Sequence, residues 1–171
     1  METHSTISVA NYFVGKAQAE GLPITPMKLL KLVYIAQGWA LGLYDKPLIG
    51  EEVQAWQYGP VIESVYRKFK QYGSSPILRQ QTDNPFTDAL PTVEDAETRT
   101  FLDSVWNAYK QFGGLQLSDL THRPGTPWDM TWNLANGRNM KGAVIPQTLI
   151  QQHYKELAEK RRQFLSQQHA N

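Results

Sequence analysis

The sequence predicts a mainly α-helical fold: a single compact domain of about six helices with a minor β-strand or hairpin element. Three observations carry this expectation. Apolar residues recur at i, i+3, i+4 spacing along most of the chain. Residues that cap helix starts stand ahead of those stretches, and glycines stand at their ends. Strict alternation is confined to residues 53–57, with 77–79 the one other short extended candidate.

The first helix opens at Ser5 or Thr6 and places Ile7, Ala10, Phe13, Val14 and Ala17 on one face, with Gly21 as its stop. Thr25 and Pro26 open the second, with Pro at the first helical position. Leu29, Leu32, Val33, Ala36, Ala40 and Leu43 recur there, and Trp39 and Leu41 widen the apolar surface, so this helix is expected to be central and most buried. Lys28 and Lys31 share one side of it, and are expected to run their stems along apolar surface with the charges in water. Asp45-Lys46-Pro47 is a turn. In 53–57, Val53, Ala55 and Gln57 share one face and Gln54 and Trp56 the other.

Gly59 and Pro60 are expected to turn the corner into a third helix that buries Val61, Val65, Phe69 and Tyr72. Residues 78–91 are a polar loop. Thr92 and Asp95 resemble a capping box for a fourth helix carrying Phe101, Leu102, Val105, Trp106, Tyr109 and Phe112, with Gly113 as its stop. A turn of helix at 118–121, a helix over 128–135 closed by Asn136 and Gly137, and a last helix from Ile145-Pro146 to about Gln163 complete the chain, with 167–171 expected to fray.

Composition excludes several classes of function. At 171 residues and 41% hydrophobic, the chain can bury a core without covalent staples, and five Trp, eight Tyr and six Phe argue against disorder. There is no cysteine, hence no disulfide framework, thiolate nucleophile or thiolate metal site, which implies a cytoplasmic location. Residues 1–10 lack the basic and apolar regions of a secretory signal, and the most apolar stretch, 32–44, is too short to span a bilayer. The net charge of +1 recruits neither nucleic acid nor an anionic membrane. That charge is uneven: from Arg138 onward six Lys/Arg face two Asp/Glu, a local +4, against eleven and fourteen, or −3, in the rest.

No catalytic constellation emerges. Gly137 and Gly142 have phosphate-loop spacing, but Ala143-Val144 stand where Lys-Ser/Thr is needed, so the segment reads as a turn. His153 and Glu156 lie one helical turn apart without further ligands, so neither metal nor other cofactor is expected. Ser74-Ser75 lacks a nucleophile elbow, and the pairs Glu51-Glu52 and Asp95/Glu97 do not converge. The second helix is too apolar to lie in a DNA groove, which argues against direct nucleic-acid reading. The chain is not expected to be an enzyme.

Two segments stand out. In Gln54-Ala55-Trp56-Gln57-Tyr58-Gly59-Pro60-Val61, Gly59 is expected to take a backbone angle closed to other residues. Trp56 lies inside the extended passage and is expected in the core; Tyr58 abuts the corner and is expected to be exposed, which requires the pleat to end before it. In His122-Arg123-Pro124-Gly125-Thr126-Pro127-Trp128, His122 is placed to donate to carbonyls at a helix end, and Trp128 can wedge into the core.

These residues also carry a resemblance. Leu29-Leu30-Lys31-Leu32-Val33-Tyr34-Ile35-Ala36-Gln37-Gly38-Trp39, then Pro47-Leu48, the block from Glu51 through Trp56, Tyr58, Gly59 and Pro60 to Val61, and Val65-Tyr66 resemble the Panacea family, also called the SocA-like antitoxin domain. Leu117-Ser118-Asp119-Leu120-Thr121-His122, Pro127-Trp128, and Ile145-Pro146 with Ile150 and Tyr154 look like its later elements. The resemblance covers roughly 7–155. It implies a Panacea-like domain over 1–155, with 156–171 forming the end of the last helix and a flexible basic, Gln-rich tail. It further implies a cytoplasmic antitoxin of bacterial or phage and mobile-element origin that neutralises a protein toxin by binding, without catalytic residues or cofactors. Candidate anchors for the partner are Trp56, Tyr58, Arg67 and Trp128, with Gly59, Pro60 and His122 as structural residues. The alternative expectation is a proteolytic adaptor that hands its target to a AAA+ protease, or a protein that binds and redirects or inhibits a host factor.

Overall fold

A computed structural model describes residues 2–169. Its centre is the helix α2 (Pro26–Tyr44), in which Leu29, Leu32, Val33, Ala36 and Ala40 are wholly buried. The Thr25 hydroxyl caps it by accepting from the Lys28 amide, and Pro26 at the first position gives up an N–H that had no partner to lose. It ends at Asp45, which takes the left-handed conformation (φ 56°). The Gln37 side chain, buried on this helix, accepts from the Leu48 and Ile49 amides at 2.8 and 3.0 Å and so fixes the chain that follows.

Helix α1 (Thr6–Glu20) packs Phe13, Val14 and Ala17 against α2 and stops at Gly21 (φ 64°). Two short strands, β1 (Gln54–Trp56) and β2 (Gly59–Val61), pair antiparallel, with Gln54 opposite Val61, Ala55 opposite Pro60 and Trp56 opposite Gly59. The third helix, α3 (Glu63–Phe69), therefore begins three residues after the expected corner, and Pro60 is a strand residue instead of the first helical one. The ladder explains why proline is tolerated there. The Ala55 amide points away from β2, to Ala143 O at 2.8 Å, so its partner Pro60 occupies a position where no N–H is required. The chain at 143–145 lines the other edge of β1, with the Ile145 amide on Val53 O.

No strand forms at 77–79: the Ile77 amide is taken by Ile24 O at 2.8 Å, and no neighbouring chain supplies a ladder. The polar loop is held instead by Asn11, whose side chain bonds Gln81 N, Gln81 O and Pro91 O. Helix α4 (Ala96–Tyr109) is capped by Asp95 itself, which accepts from Thr98 N at 2.8 Å; the expected Thr92 capping box does not form, because Thr92 bonds Glu94. Helix α5 (Gly114–His122) is longer than the turn expected at 118–121. Gly113 starts it instead of ending α4, and a Cβ on Gly114 would come within 3.1 Å of Lys28 N. A larger residue there would press on the start of α2.

Thr126 and Pro127 open α6 (Pro127–Asp129), which widens into a π-type turn over Met130–Leu134 instead of continuing as the regular helix expected to Ala135. The last helix, α7 (Gln147–His169), runs six residues past its expected end; residues 170 and 171 lie outside the described part. It crosses α2 at Gly38 and Gly42. A Cβ on Gly38 would lie 2.1 Å from the Tyr154 ring, and one on Gly42 would lie 2.6 Å from Tyr154 Cβ. Two glycines one turn apart thus form the groove that receives the tyrosine. Among the described residues no helix is long and apolar enough to cross a membrane.

Candidate functional site

The hairpin is the point on which the sequence's unusual segments converge. Its turn, Gln57-Tyr58, uses negative φ at both residues, and the reversal falls on Gly59 at φ 110°. That angle is closed to side-chain-bearing residues. Space forbids them as well: a Cβ on Gly59 would lie 2.8 Å from Lys31 Nζ and 3.5 Å from Thr121 Oγ1.

Three alternate carbonyls of the hairpin, at 56, 58 and 60, are each met by a side chain from a different helix. Trp128 Nε1 of α6 donates to Trp56 O at 2.7 Å. Ser118 Oγ of α5 donates to Tyr58 O at 2.7 Å. Lys31 Nζ of α2 donates to Pro60 O at 2.9 Å. Each bond ties a hairpin carbonyl to a helix side chain, so the hairpin is locked to three helices at once.

Lys31 does not reach solvent. It is 2% exposed, and desolvation lowers its ammonium to about pKa 7. Lys28 is also buried, its Nζ on Lys110 O and 5.6 Å from the centre of the Trp106 ring, with its pKa likewise lowered by burial. The expected snorkelling is corrected for both. The N-terminal half of their helix is almost wholly buried, so each ammonium ends on a backbone carbonyl instead of in water.

The four candidate anchors separate. Tyr58 is 64% exposed. The pleat ends at Trp56, which frees Tyr58 to point outward. Trp56 is half-buried and not a core residue: its indole donates to Gln54 Oε1 at 2.8 Å and meets the Tyr66 ring edge-on at 4.8 Å. Arg67 is exposed on α3, paired with Glu63 one turn earlier at 2.6 Å. Trp128 is 5% exposed, stacked on Trp132 and flanked edge-on by His122. It offers almost no surface, so it is a brace of the hairpin and not an anchor. His122, on the last residue of α5, bonds Ser118 O through Nδ1, as its place at a helix end led one to expect.

Lys31, Ser118 and Thr121 are the site residues that motif reasoning passed over. The signal for Lys31 was a charge in the middle of a helix apolar on all faces. Lys31 faces a carbonyl, and among the described residues no carboxylate pairs with it. Nor is any group of three or more His, Asp or Glu among the described residues placed to hold a metal.

Comparison with known proteins gives a consistent result. The family described as "Antitoxin SocA-like, Panacea domain" matches residues 29–129, the span that holds Lys31, the hairpin, Ser118 and Trp128. The chain is 31% identical over 134 residues to "Antitoxin SocA" of Caulobacter vibrioides (strain NA1000 / CB15N), covering 76% of this chain and 70% of that protein. No solved structure matches.

Proposed function

Because the chain belongs to the SocA-like antitoxin, Panacea domain family, we propose that it neutralises a cognate protein toxin by direct binding, with the hairpin tip as the contact. The observation that carries this reading is Tyr58, held 64% exposed on a hairpin whose carbonyls at 56, 58 and 60 are fixed from three helices. An aromatic ring on a rigid mount loses little freedom on binding, so more of its burial survives as affinity. Exposed Arg67 on the adjacent α3 supplies a second contact of a kind common in interface centres.

The test is co-expression with a candidate toxin, a protein that arrests growth when expressed without this chain. The wild-type chain restores growth and co-purifies with the toxin. Tyr58→Ala, at matched protein level and unchanged melting temperature, loses both. Full rescue by Tyr58→Ala and by a Tyr58→Ala/Arg67→Ala pair would move the contact away from the hairpin.

A further inference from the structure

Helices α2, α4, α5 and α7, with the loop 123–126, line a half-open cavity of about 600 Å³, within the range of small-molecule sites. Its inner wall is made by Tyr34 and Trp39 of α2, Tyr109 of α4 and Tyr154 of α7. Tyr34 is 1% exposed and Tyr154 4%, yet among the described residues neither hydroxyl has a protein hydrogen-bond partner. Neither hydroxyl is sealed off, because among the described residues the one buried side-chain polar atom without a hydrogen-bond partner is Asp95 Oδ2, so both tyrosine hydroxyls meet accessible space. Tyr109 OH accepts from Trp39 Nε1 at 3.0 Å, which leaves its own proton to donate. Burial raises the pKa of all three tyrosines, so at neutral pH they are donors and not phenolates.

The mouth of the cavity is cationic. Lys160 and Arg161 of α7 line it and have no carboxylate partner among the described residues, and Arg161 acts electrostatically on the Tyr109 hydroxyl. Arg123 also reaches it but is tied to Asp119 at 2.8 Å. The one carboxylate in the lining, Glu156, is bonded by Gln152. His153 adds little charge, because desolvation lowers its pKa. Aromatic walls, three tyrosines in the lining whose hydroxyls can donate, and two cations at the rim without a carboxylate partner among the described residues suit a flat ring that carries an anionic group.

We propose that this cavity binds a small phosphorylated aromatic molecule of mononucleotide size, with the ring against Trp39 and Tyr109 and the phosphate toward Lys160 and Arg161. The hydroxyls of Tyr34, Tyr109 and Tyr154 donate to acceptors on the ligand body. This site is separate from the exposed Tyr58, and neither reading depends on the other.

Calorimetric titration of the full chain with AMP, GMP, CMP and UMP, each alone, tests it. At least one mononucleotide should bind with a dissociation constant on the order of ten micromolar. The matching nucleoside and inorganic phosphate should each bind at least about tenfold more weakly. Arg161→Glu, an exposed change, should weaken the nucleotide at least about tenfold, and Tyr34→Phe should weaken it by a smaller factor, both with the melting temperature retained. The proposal is overturned if none of the four binds at about 1 mM, if nucleoside or phosphate alone binds as tightly, or if neither variant changes the affinity.

Discussion

Lys31 Nζ lies 2.9 Å from the carbonyl oxygen of Pro60, and Lys31 is 2% exposed. This one bond ties the central helix to the hairpin that carries Tyr58. It also places an ammonium where water cannot solvate it, at a site where its neighbours supply a carbonyl and no negative charge.

That placement makes stability depend on pH. The unfolded chain keeps the lysine proton to about pH 10.5, whereas the folded chain releases it above about 7. Between these values the unfolded state holds more protons, so stability rises with pH. Urea denaturation at pH about 7 and about 9.5 should show wild type gaining about 2–3 kcal/mol relative to Lys31→Met across that interval. The comparison stops short of pH 10, where ionising tyrosines of the unfolded chain act in the opposite sense. Parallel curves for the two proteins would mean that Lys31 stays charged and solvated.

Gly59 faces two obstacles to substitution, and Gly21 only one. Gly59 combines φ 110° with Lys31 Nζ at 2.8 Å from any Cβ, while Gly21 has φ 64° and nothing within 4 Å. Gly21→Ala should cost about 1 kcal/mol, and Gly59→Ala at least as much from strain, in the range of about 1–3 kcal/mol, plus the displacement of Lys31. Thermal or urea unfolding of the two variants side by side gives the order; equal losses would leave the lysine contact without energetic weight.

The hairpin aromatics should divide by burial. Trp128→Ala empties a buried site and orphans Trp56 O, and should cost about 3–5 kcal/mol of stability. Tyr58→Ala should stay within about 0.5 kcal/mol of wild type while weakening toxin binding by about 2 kcal/mol, roughly thirtyfold. Trp56→Ala, half-buried, should fall between them in stability. Melting curves for the three variants check this ranking, and a Tyr58→Ala protein that melts far below wild type would make the tip structural.

At the α2–α7 crossing, Gly38→Ala should destabilise by about 1–3 kcal/mol through overpacking, because its methyl would meet the Tyr154 ring. Tyr154→Ala removes the ring and costs a cavity. The double variant should be more stable than the sum of the two losses by about 1 kcal/mol or more. Simple additivity in a double-mutant cycle would show that the clash is relieved elsewhere.

Much of this was legible in the sequence, for reasons tied to particular residues. The apolar period from Leu29 to Ala40, bounded by Thr25-Pro26, is enough to make α2 a buried helix, and Gly59 next to Tyr58 is enough to mark a special backbone angle. Local rules do not see partners distant in the chain. Pro60 fits a first helical position as well as an outward-facing strand position, and only the Ala143 carbonyl on the far edge of β1 decides between them. Lys31 fits a snorkelling residue until α5 and the hairpin close over it. Trp128 fits an anchor or a brace until Trp56 O accepts its indole N–H. Helix identity follows from period and caps, which are local. Which polar atoms end in the interior, and which aromatic ring is left outside, follows from contacts between segments distant in the chain, some more than a hundred residues apart, and only the tertiary structure fixes those.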